Sequence, residues 1–260
     1  GKTIIIQHGG MYGTALLAPD EKHCKLISDI YFVWGWAQNR NKLKNIGIPI
    51  VSFSDYGSFD KNGPILIVLR ELSYKPYMSF FHSHEIFSDR SNFYRMNVIN
   101  LIKLLNQNIC TKLIKLRFYP DDIIESHNIV KANNIKDILI SSEKSMHVDL
   151  KSSSIAIFTY DGTGFLESMA LGHPSVLLLL EDLNSIRPSA YDAYQKLIDA
   201  KIAHLSIESL SDHLNKIENN ILLWWNSIEV IKKRDGFCNL FACQNDSIED
   251  AFIREKNNAL

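Results

Sequence analysis

The chain predicts an α/β fold, a Rossmann-type domain with a mostly parallel sheet, followed by C-terminal helices. Three observations predict it. Strand-length segments rich in apolar residues recur at residues 65–69, 112–116, 138–141, 155–158 and 175–180, separated by helix-length segments of mixed polarity, as in βαβ units. The run at 175–180, with its Val-Leu-Leu-Leu-Leu core, lacks polar alternation, which suits a parallel strand buried on both faces. Beyond residue 180 apolar positions fall at three- and four-residue spacing over 189–200, 206–218 and 220–234, the period of helices.

In chain order, residues 3–7 form a strand that runs into Gln7-His8-Gly9-Gly10-Met11-Tyr12-Gly13. A helical stretch at 19–28 precedes an aromatic strand at 30–33, which ends in Trp34-Gly35-Trp36, and a short strand is expected at 49–53. Residues 55–63, rich in Gly, Asp and Ser, read as a linker. The alternation then restarts with the strand at 65–69, a helix at 93–106, the strand at 112–116, a helix or turn at 121–133, the strand at 138–141 and a short helix at 147–153. The strand at 155–158 follows. Trp224-Trp225 is expected in core packing, and residues 253–260 read as a polar tail. Three parts are expected: residues 1–57, 64–205 and a helical segment at 206–260. The chain opens without Met, and a functional-looking strand end lies within its first ten residues, so a truncated N-terminal domain is expected.

Composition narrows the function. With 260 residues, 46% hydrophobic and 22% charged, the chain can bury a sizeable core. The 28 basic and 29 acidic residues leave a net charge of −1, which argues against a nucleic-acid surface or a polybasic anchor. Cys24, Cys110, Cys238 and Cys243 show no Cys-x-x-Cys spacing and read as inert thiols of a reducing compartment, so a cytoplasmic location is expected. No signal peptide is visible, and no apolar run reaches the roughly 18 residues of a membrane span.

The most informative stretch is Thr159-Tyr160-Asp161-Gly162-Thr163-Gly164-Phe165-Leu166-Glu167, where a buried strand passes through glycines into a helix. The first amides of that helix have no intrahelical partner, and its dipole favours an anion there. Gly162 and Gly164 allow close approach of a phosphate, and Thr163 can cap the helix or bond the phosphate. Glu167, one turn on, can accept from ribose hydroxyls, while Asp161 reads equally as base, cap or hydroxyl acceptor. The alternative is an ordinary strand-to-helix turn.

His8 stands at a strand end, where open α/β sheets bind ligands, inside a loop made tight by Gly9, Gly10 and Gly13. It can serve as general acid or base near neutral pH, or as a cation beside phosphate; the alternative is a loop-tying role. Glu21, Asp29 and Trp34-Gly35-Trp36 follow at distances that could return to the same cleft. Arg117 follows the strand at 112–116 and can bind phosphate bidentately or remain a solvated strand-end charge. His82, His84 and Glu85 lack a further cluster at zinc-like spacing and read as a loop at the cleft mouth, so no metal is expected. His173, in Gly172-His173-Pro174, reads as structural, and Asp121-Asp122 as a helix N-terminus.

The strand, small-residue turn, Glu167, Gly172-His173-Pro174 and second strand resemble the donor-nucleotide segment of GT-B glycosyltransferases. Position 159 is Thr where many members carry a second Glu, so the resemblance does not imply a UDP-specific donor. His8-Gly9-Gly10 with Tyr12-Gly13, Glu21, Ile27-Ser28-Asp29, Trp34-Gly35-Trp36, Arg117-Phe118-Tyr119-Pro120, Arg187-Pro188, Tyr194, His204 and Trp224-Trp225 extend the likeness over nearly the whole chain. Together they resemble a family of transferases from bacterial surface-carbohydrate clusters, and more distantly the CMP-Kdo and polyol-phosphate transferases. That resemblance implies a GT-B fold, with residues 1–57 on the acceptor side and 64–205 binding a nucleotide-sugar. The implied activity is metal-independent transfer of a sugar, such as a CMP-activated acidic sugar, from a nucleotide donor to a glycan or lipid-linked acceptor.

Under the resemblance His8, Glu21 and Asp29 are the catalytic candidates. Gly9, Gly10, Tyr12, Arg117, Asp161, Gly162, Thr163, Gly164 and Glu167 are the candidates for the donor nucleotide and its phosphate. The nucleotide-sugar is a substrate, no cofactor is implied, and peripheral association with the inner face of a membrane is compatible. A CDP-polyol phosphotransferase, a sugar-nucleotide epimerase and a non-catalytic nucleotide- or glycan-binding module are the alternatives.

Overall fold

The computed structural model describes residues 2–37, 42–49, 56–70, 88–108, 112–118, 138–180, 182–244 and 248–258. It begins with β1 (Ile4–Ile6), α1 (Pro19–Ile27), β2 (Ile30–Val33) and β3 (Leu43–Asn45), which pair in parallel in the order β1-β2-β3. α1 starts on Pro19 with Asp20 and Glu21 in its first turn and carries Lys25 in its last, an arrangement that complements the helix dipole. β3 is not among the expected strands, and the strand expected at 49–53 lies, beyond Pro49, outside the described residues. Leu43 is buried with Tyr31 and Val33, so β3 forms beside β2, and residues 50–55 lie outside the described set.

The second sheet contains β4 (Ile65–Val68), β5 (Ile114–Arg117), β6 (Ile138–Ile140), β7 (Ile155–Phe158), β8 (Ser175–Leu178) and β9 (Ala203–His204). Its order is β6-β5-β4-β7-β8-β9, parallel throughout. Between the strands come α2 (Ser88–Asn108), α3 (Met146–Lys151), α4 (Thr163–Ala170) and α5 (Tyr191–Asp199). After β9 come α6 (Ile207–Ile217), α7 (Ile221–Trp225), α8 (Ile228–Phe241) and α9 (Ile248–Asn258). The expected helix or turn at 121–133 and the His82-to-Glu85 segment lie outside the described residues.

Alternate residues of the central strands feed two separate cores. Ile65, Ile67, Ile155, Ile157, Val176 and Leu178 pack with α2 and α6, whereas Leu66, Val68, Ala156, Phe158 and Leu177 pack with α4, α5 and α8. A strand buried on both faces needs apolar residues at every position, which explains the unbroken runs in the sequence. Tyr194, Phe237 and Phe241 form an aromatic cluster in the second of these cores.

The expected helix over 220–234 is two helices, because the Ser227 side chain accepts from the Val230 amide and caps a new start. Trp224 and Trp225 donate from their indoles to the Ala200 and Gly172 carbonyls, which makes them packing residues. The expected polar tail is helical as α9, with Glu249 and Asp250 in the first turn and Lys256 in the last. The two sheets are joined where α8 ends. The Cys243 amide donates to the Trp34 carbonyl, and Gly35 packs so closely on the Leu240 carbonyl that a Cβ would lie 2.8 Å from it. Among the described residues, no helix is long and apolar enough to cross a membrane.

Candidate functional site

Strand order places the site. β4 and β7 are neighbours whose connections leave toward opposite edges of the sheet, and such a switch opens a crevice outside the carboxyl ends of the two strands. Arg70 lies just beyond β4, and residues 159–164 lie just beyond β7. Tyr94 of α2 braces this point: its hydroxyl accepts from the Arg70 amide at 2.9 Å and lies 2.5 Å from Thr159 Oγ1. Thr159 in turn donates to the Val68 carbonyl. Thr159 is therefore a buried part of the scaffold.

From this floor the chain turns through Asp161 and Gly162 into α4. Gly162 is the N-cap residue, and its carbonyl accepts from the Phe165 and Leu166 amides. The Thr163 and Gly164 amides precede any intrahelical acceptor and remain at the positive end of the helix. Thr163 is thus the first helical residue, and the cap position that was one of its two expected roles belongs to Gly162. Gly164 admits the neighbouring helix, because a Cβ there would sit 2.8 Å from Met146 Sδ.

The loop after β1 closes over this turn. Gln7, 1% exposed, accepts at Oε1 from Trp36 Nε1 at 2.9 Å and from the Trp34 amide, while its Nε2 donates to the Gly9 carbonyl. The Trp34-Gly35-Trp36 motif therefore holds the His8 loop in shape. Gly13, at φ +82°, lies against the Trp36 ring, where a Cβ would come within 2.5 Å. The Gly10 amide donates to Thr163 Oγ1 at 2.8 Å, and a Cβ on Gly10 would lie 2.5 Å from the Gly162 backbone. Thr14 Oγ1 reaches Asp161 Oδ2 at 3.2 Å, and the Leu16 and Arg187 amides bond the Ser185 and Thr14 carbonyls. The loop that carries His8 thus packs through Gly10 on the turn that opens α4.

His8 is exposed, with Nε2 3.0 Å from the Tyr12 hydroxyl. Burial, aided by the negative fields of Asp20, Cys24 and Glu21, pushes the Tyr12 phenol well above its usual range, so it stays protonated. Asp161 accepts from Tyr194 and Thr14 at Oδ2, and its Oδ1 is buried without a partner. Burial raises its carboxyl to about 6 against the lowering effect of those two donors. Glu167 lies on α4 with a quarter of its side chain exposed, its carboxyl raised by burial, and Oε2 3.7 Å from His147 Nε2.

Three candidates lie elsewhere. Glu21, 3% exposed, takes the Arg187 fork, the Gly13 amide and Lys25, so its carboxylate is a buried clamp that fixes the loop. Asp29 precedes β2, at the amino end of the first sheet, where Oδ2 accepts from the Thr3 amide; a parallel sheet puts that end opposite His8. Arg117 belongs to β5, and its guanidinium is directed to Asp149 at 2.5 Å and to the Glu143 and Lys144 carbonyls. Asp149 is fully buried and needs the cations of both Arg117 and Lys115, which corrects the expectation of a phosphate fork.

Sequence reasoning missed His147, whose signal was weak because it lies one strand away from the glycine turn. Arg70, the basic residue directly after the central strand, was legible by the same strand-end rule applied to Arg117. Among the described residues, no group of three His, Cys, Asp or Glu side chains could hold a metal ion.

The model of the LIC12162 family transferases matches residues 1–255. No curated protein sequence matches the chain. Among solved structures, the chain is similar to a TarM mutant from S. aureus in complex with fondaparinux, α-GlcNAc-glycerol and UDP. The TM-score is 0.56 at 12% identity, over 98% of this chain and 50% of that one. It is also similar to S. aureus MnaA in its co-structure with UDP, with a TM-score of 0.52 at 10% identity over 93% and 63% of the two chains. These likenesses show the GT-B fold. The chain spans about half the length of TarM and less than two thirds of MnaA.

Proposed function

The chain belongs to the LIC12162 family of transferases, and from that premise we propose that it moves a glycosyl group from a nucleotide-activated sugar to a glycan or lipid-linked acceptor of a surface polysaccharide. The observation that supports this reading is the Gly10–Thr163 contact at the β4/β7 switch, which sets the amide-lined start of α4 against the His8 loop. The leaving phosphate sits on the Thr163 and Gly164 amides, which are preorganised toward the charge that develops there. The Thr163 hydroxyl, already accepting from Gly10, donates its own proton to a phosphate oxygen. Glu167 accepts from the ribose.

His8 faces the reacting centre from the opposite wall. With Nε2 paired to Tyr12, its imidazole takes the proton of the incoming acceptor hydroxyl once the phenol contact is released. The donor follows from the resemblance: a CMP-linked acidic sugar, with UDP-sugars beside it because TarM and MnaA are seen with UDP. A thermal-shift panel of CMP, CDP, UDP and GDP and their sugar conjugates tests this reading. The reading predicts that one nucleotide class raises the melting temperature and that its sugar conjugate is consumed when a glycan acceptor is added. No stabilisation by any member would overturn it.

A further inference from the structure

We propose that His147 is a specificity-determining residue which, with Glu167, reads a ribose hydroxyl and so separates ribonucleotides from 2′-deoxyribonucleotides; this rests on the nucleotide reading of the cleft. His147 is the second residue of α3, where Ser145 caps the helix by accepting from the His147 amide at 3.3 Å. Met146, beside it, fills the space left open by Gly164. These contacts hold the imidazole against the first turns of α4, on the same side as Glu167.

The distance between the two groups carries the argument. Nε2 of His147 lies 3.7 Å from Glu167 Oε2, beyond hydrogen-bond range, and it is buried without a partner. Buried polar atoms in folded proteins are paired, so such a nitrogen marks the place of a group that completes it. The charged groups facing the ring are Glu167 on α4 and Lys151 on its own helix. Burial first and Lys151 second hold the imidazole below its usual range, so it is neutral near pH 7. A neutral ring and a carboxylate at this spacing suit a hydroxyl, which accepts from Nε2–H and donates to Oε2 at once. Neither a phosphate nor a methylene satisfies both partners. The ribose of a nucleotide whose phosphate rests on Thr163 and Gly164 lies one helical turn away, where Glu167 and His147 stand.

The test measures dissociation constants by calorimetry for CMP and UDP and for their 2′-deoxy forms, with wild type, His147→Ala and His147→Gln. Wild type should prefer the ribonucleotide by about tenfold, a difference of one well-made hydrogen bond. His147→Ala should bring the two forms within about twofold by weakening only the ribonucleotide, and His147→Gln should restore part of the preference, because its amide donates like the ring. Full discrimination in His147→Ala, or an equal loss for both forms, would overturn the inference while leaving nucleotide binding in place. Failure of wild type to bind either ribonucleotide would overturn both the inference and the reading beneath it.

Discussion

The Gly10 amide donates to the Thr163 hydroxyl at 2.8 Å, tying the loop after the first strand of one sheet to the helix that starts at the switch point of the other. The residues are 153 apart in sequence, so this contact holds the His8 loop in register with the start of α4. Replacing Thr163 with Val keeps the shape and removes the acceptor. Stability should fall by about 1 kcal/mol, the net worth of one hydrogen bond, and nucleotide affinity should fall with it. Thr163→Ser should retain both. Chemical denaturation and calorimetry on the two variants provide the comparison.

Gly10 has no room for a methyl group. A Cβ there would lie 2.5 Å from the Gly162 carbonyl carbon and the Thr163 nitrogen, both backbone atoms that yield only if the two loops separate. Gly10→Ala should therefore leave the two sheets folded, with unchanged circular dichroism, and reduce transfer activity at least about tenfold through misplacement of facing groups. Wild-type activity in this variant would mean that the loops are not in register during turnover.

Glu167 and His8 should separate binding from chemistry. Glu167 keeps about a quarter of its side chain in solvent, so Glu167→Ala should weaken nucleotide binding without lowering the melting temperature. His8→Ala should lose turnover with donor binding largely kept, because the imidazole stands across the cleft from the phosphate seat. Equal affinity in the first variant, or undiminished activity in the second, would remove that residue from the site.

Two buried histidines make stability fall in acid. His173, with Nδ1 2.7 Å from the Tyr56 hydroxyl, is held near 3 by burial, and His204, between Ser209 and the Lys201 carbonyl, near 4. In the unfolded chain each ring takes its proton at about pH 6.5, so the stability they contribute is full above that value and is lost as pH falls toward the folded values. Each contributes a slope of about 1.4 kcal/mol per pH unit in that window. Asp161, with its folded carboxyl raised to about 6, acts in the opposite sense, losing stability as pH rises toward 6. The difference between wild type and His204→Gln isolates one ring. The variant's profile should be flatter between pH 6 and about 4.5, and parallel profiles would contradict the assignment.

Much of this arrangement was legible in the chain, for reasons particular to certain residues. Residues 65–69, 155–158 and 176–180 are apolar at every position because both faces of those strands are covered, and the glycines around Thr163 announce the helix start. β3 was missed because Leu43-Lys44-Asn45 offers one apolar residue, and its pairing depends on β2. Glu21 and Arg187 are 166 residues apart, and Arg117 and Asp149 are 32 apart, so the partners that take those charges away from the cleft could not be read locally. The same limit hid His147, which meets Glu167 only after α3 and α4 pack.

The central claim is that a nucleotide rests on the first amides of α4 opposite the His8 loop. Amide NMR titration with the best-stabilising nucleotide tests it most directly, because Gly10, Gly162 and Gly164 surround the proposed phosphate seat. The account predicts large, saturable shifts of these glycine amides together with Thr163, and smaller ones around Glu167. Shifts confined to the groove at the opposite end of the sheet, lined by Lys61, Lys112, Ser154 and Asn220, with the three glycines unmoved, would contradict it.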